Sequence, residues 1–240
     1  MELVYCKFFC MPNFGDFEKI IDYSFKDKAH LREAFTHRSY LNENRAYKGA
    51  HNERLEFLGD AVLELSVTDF LYRKYPDKAE GELTSYRAAL VNAVTLSSLA
   101  RELSMNEYLL LSRGEAKDTG RARNIILANV FEAVVGAIYL DAGYEAADLF
   151  INKTLFPLIN DVVAQRLWQD AKSYFQEKAQ EEFGHTPTYE IMRETGPDHD
   201  KQFVVGVYIG KDLIAQGTGK SKQEAQQDAA EKGLEAKSWR

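Results

Sequence analysis

Residues 51–74 read HNERLEFLGDAVLELSVTDFLYRK. Leu55, Leu58, Val62, Leu63, Val67, Phe70 and Leu71 recur at three- and four-residue steps, which predicts an amphipathic helix over about 52–74. Pro76 ends it. The same stretch carries Glu53, Glu56 and Asp60, spaced by three and four, so their side chains share one face of the helix. Like charges stacked this way repel by about 0.2–0.5 kcal/mol per pair. With Leu55, Phe57 and Leu58 around them the helix reads as largely buried, and carboxylates crowded on a buried helix call for a cation.

A second apolar helix offers a matching pair. Residues 126–140 read ILANVFEAVVGAIYL, where Asn129 and Glu132 are the polar side chains besides Tyr139 and stand three apart. Asn124 is the expected N-cap of this helix, and Ala142-Gly143 its end. A polar pair in so apolar a helix must face a partner. If it faces the first helix, the set becomes Glu56, Asp60, Asn129 and Glu132. These are hard oxygen donors with no Cys or His among them, which favours Mg²⁺ or Mn²⁺ over zinc. Spacing alone leaves a second reading open, in which the acidic residues are a solvated face and Glu132 pairs with an arginine such as Arg87.

Outward from these helices, residues 17–40 suggest two short helices and residues 41–50 a polar loop. One helix is expected over about 83–103, a charged Gly-containing loop over 112–123, and a helix over about 146–168 kinked or divided at Pro157. Near Gln169 the pattern changes. A helix over 171–183 is followed by alternating stretches at 188–194, 202–209 and 213–217, then by a helix over about 222–236. The fold class is an all-α domain over 15–165, followed by a small α+β domain of order α-β-β-β-α over 170–237.

Composition bounds the function loosely. Hydrophobic residues make up 45% of the 240, so a packed core is expected rather than global disorder. The net charge of −7 argues mildly against a polyanionic partner, although a local basic stripe suffices to bind one. The two cysteines, Cys6 and Cys10, do not make a disulfide framework; they read as small buried side chains and fit a reducing cytoplasm. The apolar run from Leu3 to Met11 is short and broken by Lys7, so neither a signal peptide nor a membrane partner is expected, and no stretch is expected to approach the ~20 apolar residues of a span.

The decapeptide HNERLEFLGD resembles the signature of the ribonuclease III family. Thr36-His37-Arg38-Ser39, Glu80-Gly81-Glu82-Leu83-Thr84 with Arg87, and Arg113-Gly114-Glu115 with the helix from Ile125 resemble its other motifs. Residues 170–236 resemble the double-stranded-RNA-binding domain of bacterial members. The resemblance implies a homodimeric endonuclease that hydrolyses double-stranded RNA with Mg²⁺ (Mn²⁺ able to substitute), leaving 5′-phosphate and 3′-hydroxyl ends. It implies that Glu56, Asp60 and Glu132 are metal ligands, with Asp60 and Glu132 central to catalysis. It further implies that Glu53 and Glu80 are supporting acidic residues and that Phe57 packs into the partner subunit.

The chain departs from the family at Asn129, where Asp is usual. Asn keeps an oxygen donor and loses a charge, which implies either an active variant or a duplex-RNA-binding protein with weakened or lost catalysis. In the second domain the resemblance implies RNA contacts by Gln176, Glu177 and Gln180, by His199 in the loop with Pro197 and Asp198, and by Lys220, Ser221 and Lys222 at the start of the last helix. There Lys charge and the helix dipole both attract phosphate. The K-K-x-x-K run of many such domains is reduced here to Lys222 followed by Gln223 and Gln226. Residues 171–240 hold 10 basic against 12 acidic residues, a net of −2, which implies modest affinity per domain with a second copy supplied by dimerisation.

Overall fold

A computed structural model describes residues 12–164, 170–197 and 201–239. The readings of Cys6, Cys10, Leu3–Met11, Asp198 and His199, and the end of the helix expected over 146–168, lie outside those residues. The chain divides into two compact units at Val162/Val163.

In the first unit α1 (Phe14–Ile20), α2 (Lys28–Ala34) and α3 (Arg38–Glu43) precede α4 (Glu53–Lys74). Then come α5 (Glu80–Leu90), α6 (Ala93–Glu102), α7 (Arg113–Lys117), α8 (Arg121–Ala142), α9 (Tyr144–Thr154) and α10 (Ile159–Ala164). Each of α4 and α8 has 22 residues, about 33 Å of helix at 1.5 Å per residue. Helix α8 is the centre of the core: Leu127, Val130, Phe131, Ala133, Val134, Val135, Ala137 and Ile138 are fully buried. It packs on α2, α4, α6 and α9. By length and apolar composition α8 would also suit a membrane span, which corrects the expectation that no stretch comes near one; most of that apolar window is buried inside the protein.

Two glycines let α4 and α8 touch at backbone level. A Cβ on Gly59 would lie 1.8 Å from the carbonyl oxygen of Glu132, and one on Gly136 would lie 2.3 Å from that of Leu55. Any side chain at either position would hold the helices apart.

Several boundaries differ from the sequence-based expectation, each for a local reason. The helix expected over 83–103 is two helices, because the Asn92 side chain accepts from Val94 N and Thr95 N and starts α6. Asn124 is not an N-cap. Helix α8 begins at Arg121, and Asn124 Oδ1 instead accepts from the Arg101 guanidinium. The loop expected at 112–123 contains α7, capped by Ser112, whose Oγ accepts from Glu115 N at 3.2 Å. Arg123 pins this segment from the core, donating to Asn106 Oδ1 at 3.1 Å and to Glu115 O at 2.6 Å. Helix α3 runs into the expected loop at 41–50. Pro157 lies in a short 3₁₀ turn (Phe156–Leu158) that separates α9 from α10.

The second unit is α11 (Ala171–Phe183), β1 (Thr188–Thr195), β2 (Gln202–Ile209), β3 (Asp212–Gly219) and α12 (Lys222–Ala236). The strands form one antiparallel sheet in the order β1-β2-β3, with Ile191 opposite Val205 and Val205 opposite Gly217. Phe203, Val205, Val207 and Ile209 alternate into the core, where Tyr174, Phe175, Ala179, Ala229, Ala230 and Leu234 of the helices meet the sheet. Gly217 and the alanines of α12 permit the closest approach, since a Cβ at Gly217 would sit 2.1 Å from Ala229 N. On β1, Tyr189 packs on the core while Ile191 is 45% exposed, and the register shifts between Ile191 and Arg193. Trp239 closes the end of the domain by packing on Phe175 and donating from Nε1 to Glu182 at 2.7 Å.

Candidate functional site

The contact of Gly59 with the Glu132 backbone sets the geometry of the acidic face. Gly59 stands between Glu56 and Asp60, so its close approach brings both carboxylates against the stretch of α8 that holds Asn129 and Glu132. Asn129 stands close enough to Glu56 for its amide to favour the charged carboxylate. Burial raises the Glu56 carboxyl above the ordinary range, the Asn129 amide opposes this, and the charges of Glu53 and Asp60 add to it.

Glu132 is more strongly perturbed than Glu56. Burial first, then repulsion from Asp60, Glu56 and Glu64, push its carboxyl up to about 8. The arginine considered from sequence as its partner is engaged elsewhere: Arg87 Nε lies 3.0 Å from Glu64 Oε2, and its NH1 donates to Thr68 Oγ1 at 2.9 Å. Among the described residues no cation pairs with Glu132. Nor do any three His, Cys, Asp or Glu side chains among them close round a single point as a metal cage. The donor chemistry nevertheless fits a hard divalent cation. A half-buried carboxylate faces three more across a helix crossing, and a cation placed there would offset their repulsion.

The supporting acidic residues lie at the margin. Glu53 is paired with Arg38 of α3 at 3.2 Å. Glu80 opens α5, where its carboxylate accepts from Thr84 Oγ1 at 2.9 Å, and no described contact ties it to the α4 face. Phe57 is 82% exposed beside a groove lined by His30, Glu33, Arg54, Leu58 and Leu140. Phe57 shares this groove with the apolar side chains of Leu58 and the half-exposed Leu140.

In the second unit Gln176, Glu177 and Gln180 line one shallow depression on α11 with Ser173 and Glu181. Lys220, Ser221 and Lys222 are exposed at the start of α12. Ser221 is the N-cap, its Oγ accepting from Glu224 N at 3.1 Å, while Glu224 Oε2 accepts from Lys220 N at 2.8 Å. A carboxylate thus already stands at the helix start that sequence reading assigned to phosphate.

Comparison with known proteins decides the family. The Ribonuclease-III-like family matches residues 27–159, and the double-stranded RNA binding motif matches residues 171–237. The Ribonuclease 3 of Pelotomaculum thermopropionicum is 47% identical over 211 residues, 88% of each chain. That of Bacillus licheniformis is 45% identical over 221 residues, 92% of this chain and 88% of its own. The chain belongs to the ribonuclease III family of endoribonucleases.

The fold agrees with a solved ribonuclease III nuclease domain from Campylobacter jejuni, described for flexibility in its dimer-forming region. The TM-score is 0.54 at 41% identity, over 60% of this chain and 99% of that one. Within this ribonuclease III scaffold, sequence reading missed Glu64. It lies one turn beyond Asp60 on the acidic stripe and adds to the charge around Glu132. Its four-residue spacing from Asp60 was the available signal; its pairing with Arg87 required the placement of α5.

Proposed function

We propose that the chain cuts double-stranded RNA by metal-assisted hydrolysis of phosphodiester bonds. The observation that carries this reading is the Glu132 carboxyl, half-buried, without a cationic partner among the described residues, and facing Glu56 and Asp60 of α4. Glu56, Asp60 and Glu132, with the amide oxygen of Asn129, would hold Mg²⁺, or Mn²⁺ in its place. When bound, such an ion supplies Lewis-acid polarisation of the phosphate and a water of lowered pKa. The protein's own part is to fix the carboxylates on two helices locked by Gly59 and Gly136. Glu132 would present its carboxylate to such an ion, and Asp60 is exposed at the edge of the face.

The second unit would hold the duplex through Gln176, Glu177 and Gln180, whose polar ends suit minor-groove hydrogen bonds, with phosphates drawn to Lys220 and Lys222. Two copies joined through Phe57 and its groove would place one site on each strand, leaving 5′-phosphate and 3′-hydroxyl ends. Maturation of ribosomal RNA precursors and other structured transcripts in the cytoplasm is the setting this activity suits.

One observation favours a second reading, a duplex-binding protein with weakened catalysis. Position 129 offers an amide beside Glu56 where a fourth carboxylate would draw a cation more strongly. Long duplex RNA incubated with the chain in Mg²⁺ and then Mn²⁺, beside the Asn129→Asp variant, separates the two. Cutting by both proteins supports the enzyme; cutting by the variant alone identifies the weakened form.

A further inference from the structure

Three lysines of the second unit are held in ion pairs. Lys178 pairs with Glu181, Lys201 with Glu194 and Lys232 with Asp228. Lys172, in the first turn of α11, has a different environment. Its ammonium donates to Gln226 Oε1 on α12 at 2.8 Å and lies 5.1 Å from the centre of the Tyr189 ring. Both partners hold a cation without neutralising it, since an amide oxygen and an aromatic face attract positive charge and carry none. Among the described residues no carboxylate lies within ion-pair distance of it.

Its position is as informative as its charge. On α11, Lys172, Gln176 and Gln180 follow at steps of four, so Lys172 stands one turn before the depression that Gln176 and Gln180 line. On α12, Gln226 is one turn beyond Lys222 on the same face. Lys172 therefore sets an un-neutralised ammonium where the α11 stripe meets the basic start of α12, at the place where α12 itself has only an amide. Part of its stem is buried, so the charge is held in place and less side-chain entropy is lost when it meets an anion.

We propose that Lys172 is a duplex-contacting residue that binds a backbone phosphate and joins the α11 and α12 contacts into one continuous surface. The proposal rests on the duplex-RNA reading of this domain. A phosphate contact has a signature that a structural role lacks, because neutralising each phosphate releases counterions and steepens the salt dependence of affinity by about 0.9 in log–log slope for a B-form duplex.

The test measures affinity of the full-length chain for a long RNA duplex between 50 and 200 mM salt, with a chelator present to prevent cutting. Lys172→Gln should weaken binding at 50 mM and lower the slope by about one, so that its deficit shrinks about three- to four-fold by 200 mM. Lys172→Arg should keep the wild-type slope. The exchange Lys172→Gln with Gln226→Lys, which returns an ammonium to the same place from the other helix, should restore it. An unchanged slope for Lys172→Gln, with wild type binding normally, overturns the assignment alone. A deficit constant across salt, unrepaired by the exchange, also overturns it and marks Lys172 as a packing residue. Wild type that binds no duplex overturns the duplex-RNA reading, and the assignment with it.

Discussion

Gly59 of α4 meets the backbone of Glu132 in α8 with no room for a single methyl group: a Cβ there would stand 1.8 Å from the Glu132 carbonyl oxygen. The glycine lies between two of the four candidate ligands and touches the backbone of a third, so the helix crossing and the site share one contact. Gly59→Ala should force α4 away from α8 and destabilise the nuclease unit by about 1–3 kcal/mol or more, as overpacked core positions do. Chemical denaturation measures this. The same variant should lose divalent-ion binding beyond what its stability loss explains, because Glu56 and Asp60 move with α4.

Glu132 gives a pH dependence whose sign is fixed. Its folded-state value, about 8, is above the ordinary carboxylate value of 4.5. The stability it contributes is therefore fully present below about 4.5 and is lost as pH rises through 8. Without metal, Glu132→Gln should unfold close to wild type at pH 5 and above it at pH 9, by about 2–4 °C for each ~1 kcal/mol. Mg²⁺ binding should release one proton from this carboxyl, so apparent affinity should rise about tenfold per pH unit between 6 and 8. Thermal melts and calorimetry at several pH values check both.

Asn129→Asp replaces a neutral amide beside Glu56 with a fourth carboxyl group. The metal-free variant should melt below wild type, and Mg²⁺ should raise its melting temperature more. The half-saturating concentration should fall about tenfold, which corresponds to ~1.4 kcal/mol. A variant that binds Mg²⁺ no better than wild type would show that residue 129 lies outside the coordination sphere.

Phe57 is so exposed that removing its ring costs a single chain little core packing. Phe57→Ala should leave the melting temperature of the dilute monomer within the ~0.5 kcal/mol range of surface changes and weaken self-association at least tenfold. Sedimentation across a concentration series reads this. Unchanged association would place the dimer contact elsewhere.

The parts of this fold legible in sequence are those governed by one period. The apolar stripe of α4, the alternation of β2 and the alanine face of α12 each bury a regular set of side chains, so pattern and structure coincide. Asn92 and Asn124 show where this stops. Both are asparagines near apolar helical stretches, yet Asn92 caps its own backbone while Asn124 accepts from Arg101 on another helix. Only tertiary placement separates those roles. The acidic face was legible for the same reason as α4, since helical spacing alone aligns Glu56 with Asp60 and Asn129 with Glu132. The close glycines were not, because Gly59 and Gly136 read as ordinary helix residues until the two axes are brought together. The pairing of Glu64 with Arg87 likewise depends on where α5 lies.

Glu132→Gln tests the acidic face most directly when binding and cutting are measured together. Long duplex RNA is incubated with wild type and variant in Mg²⁺, and retention on the duplex is measured in parallel. Wild type should cut while the variant retains the duplex equally well and leaves it whole. Cleavage by Glu132→Gln at the wild-type rate would contradict the assignment of the Glu56, Asp60 and Glu132 face as the active site.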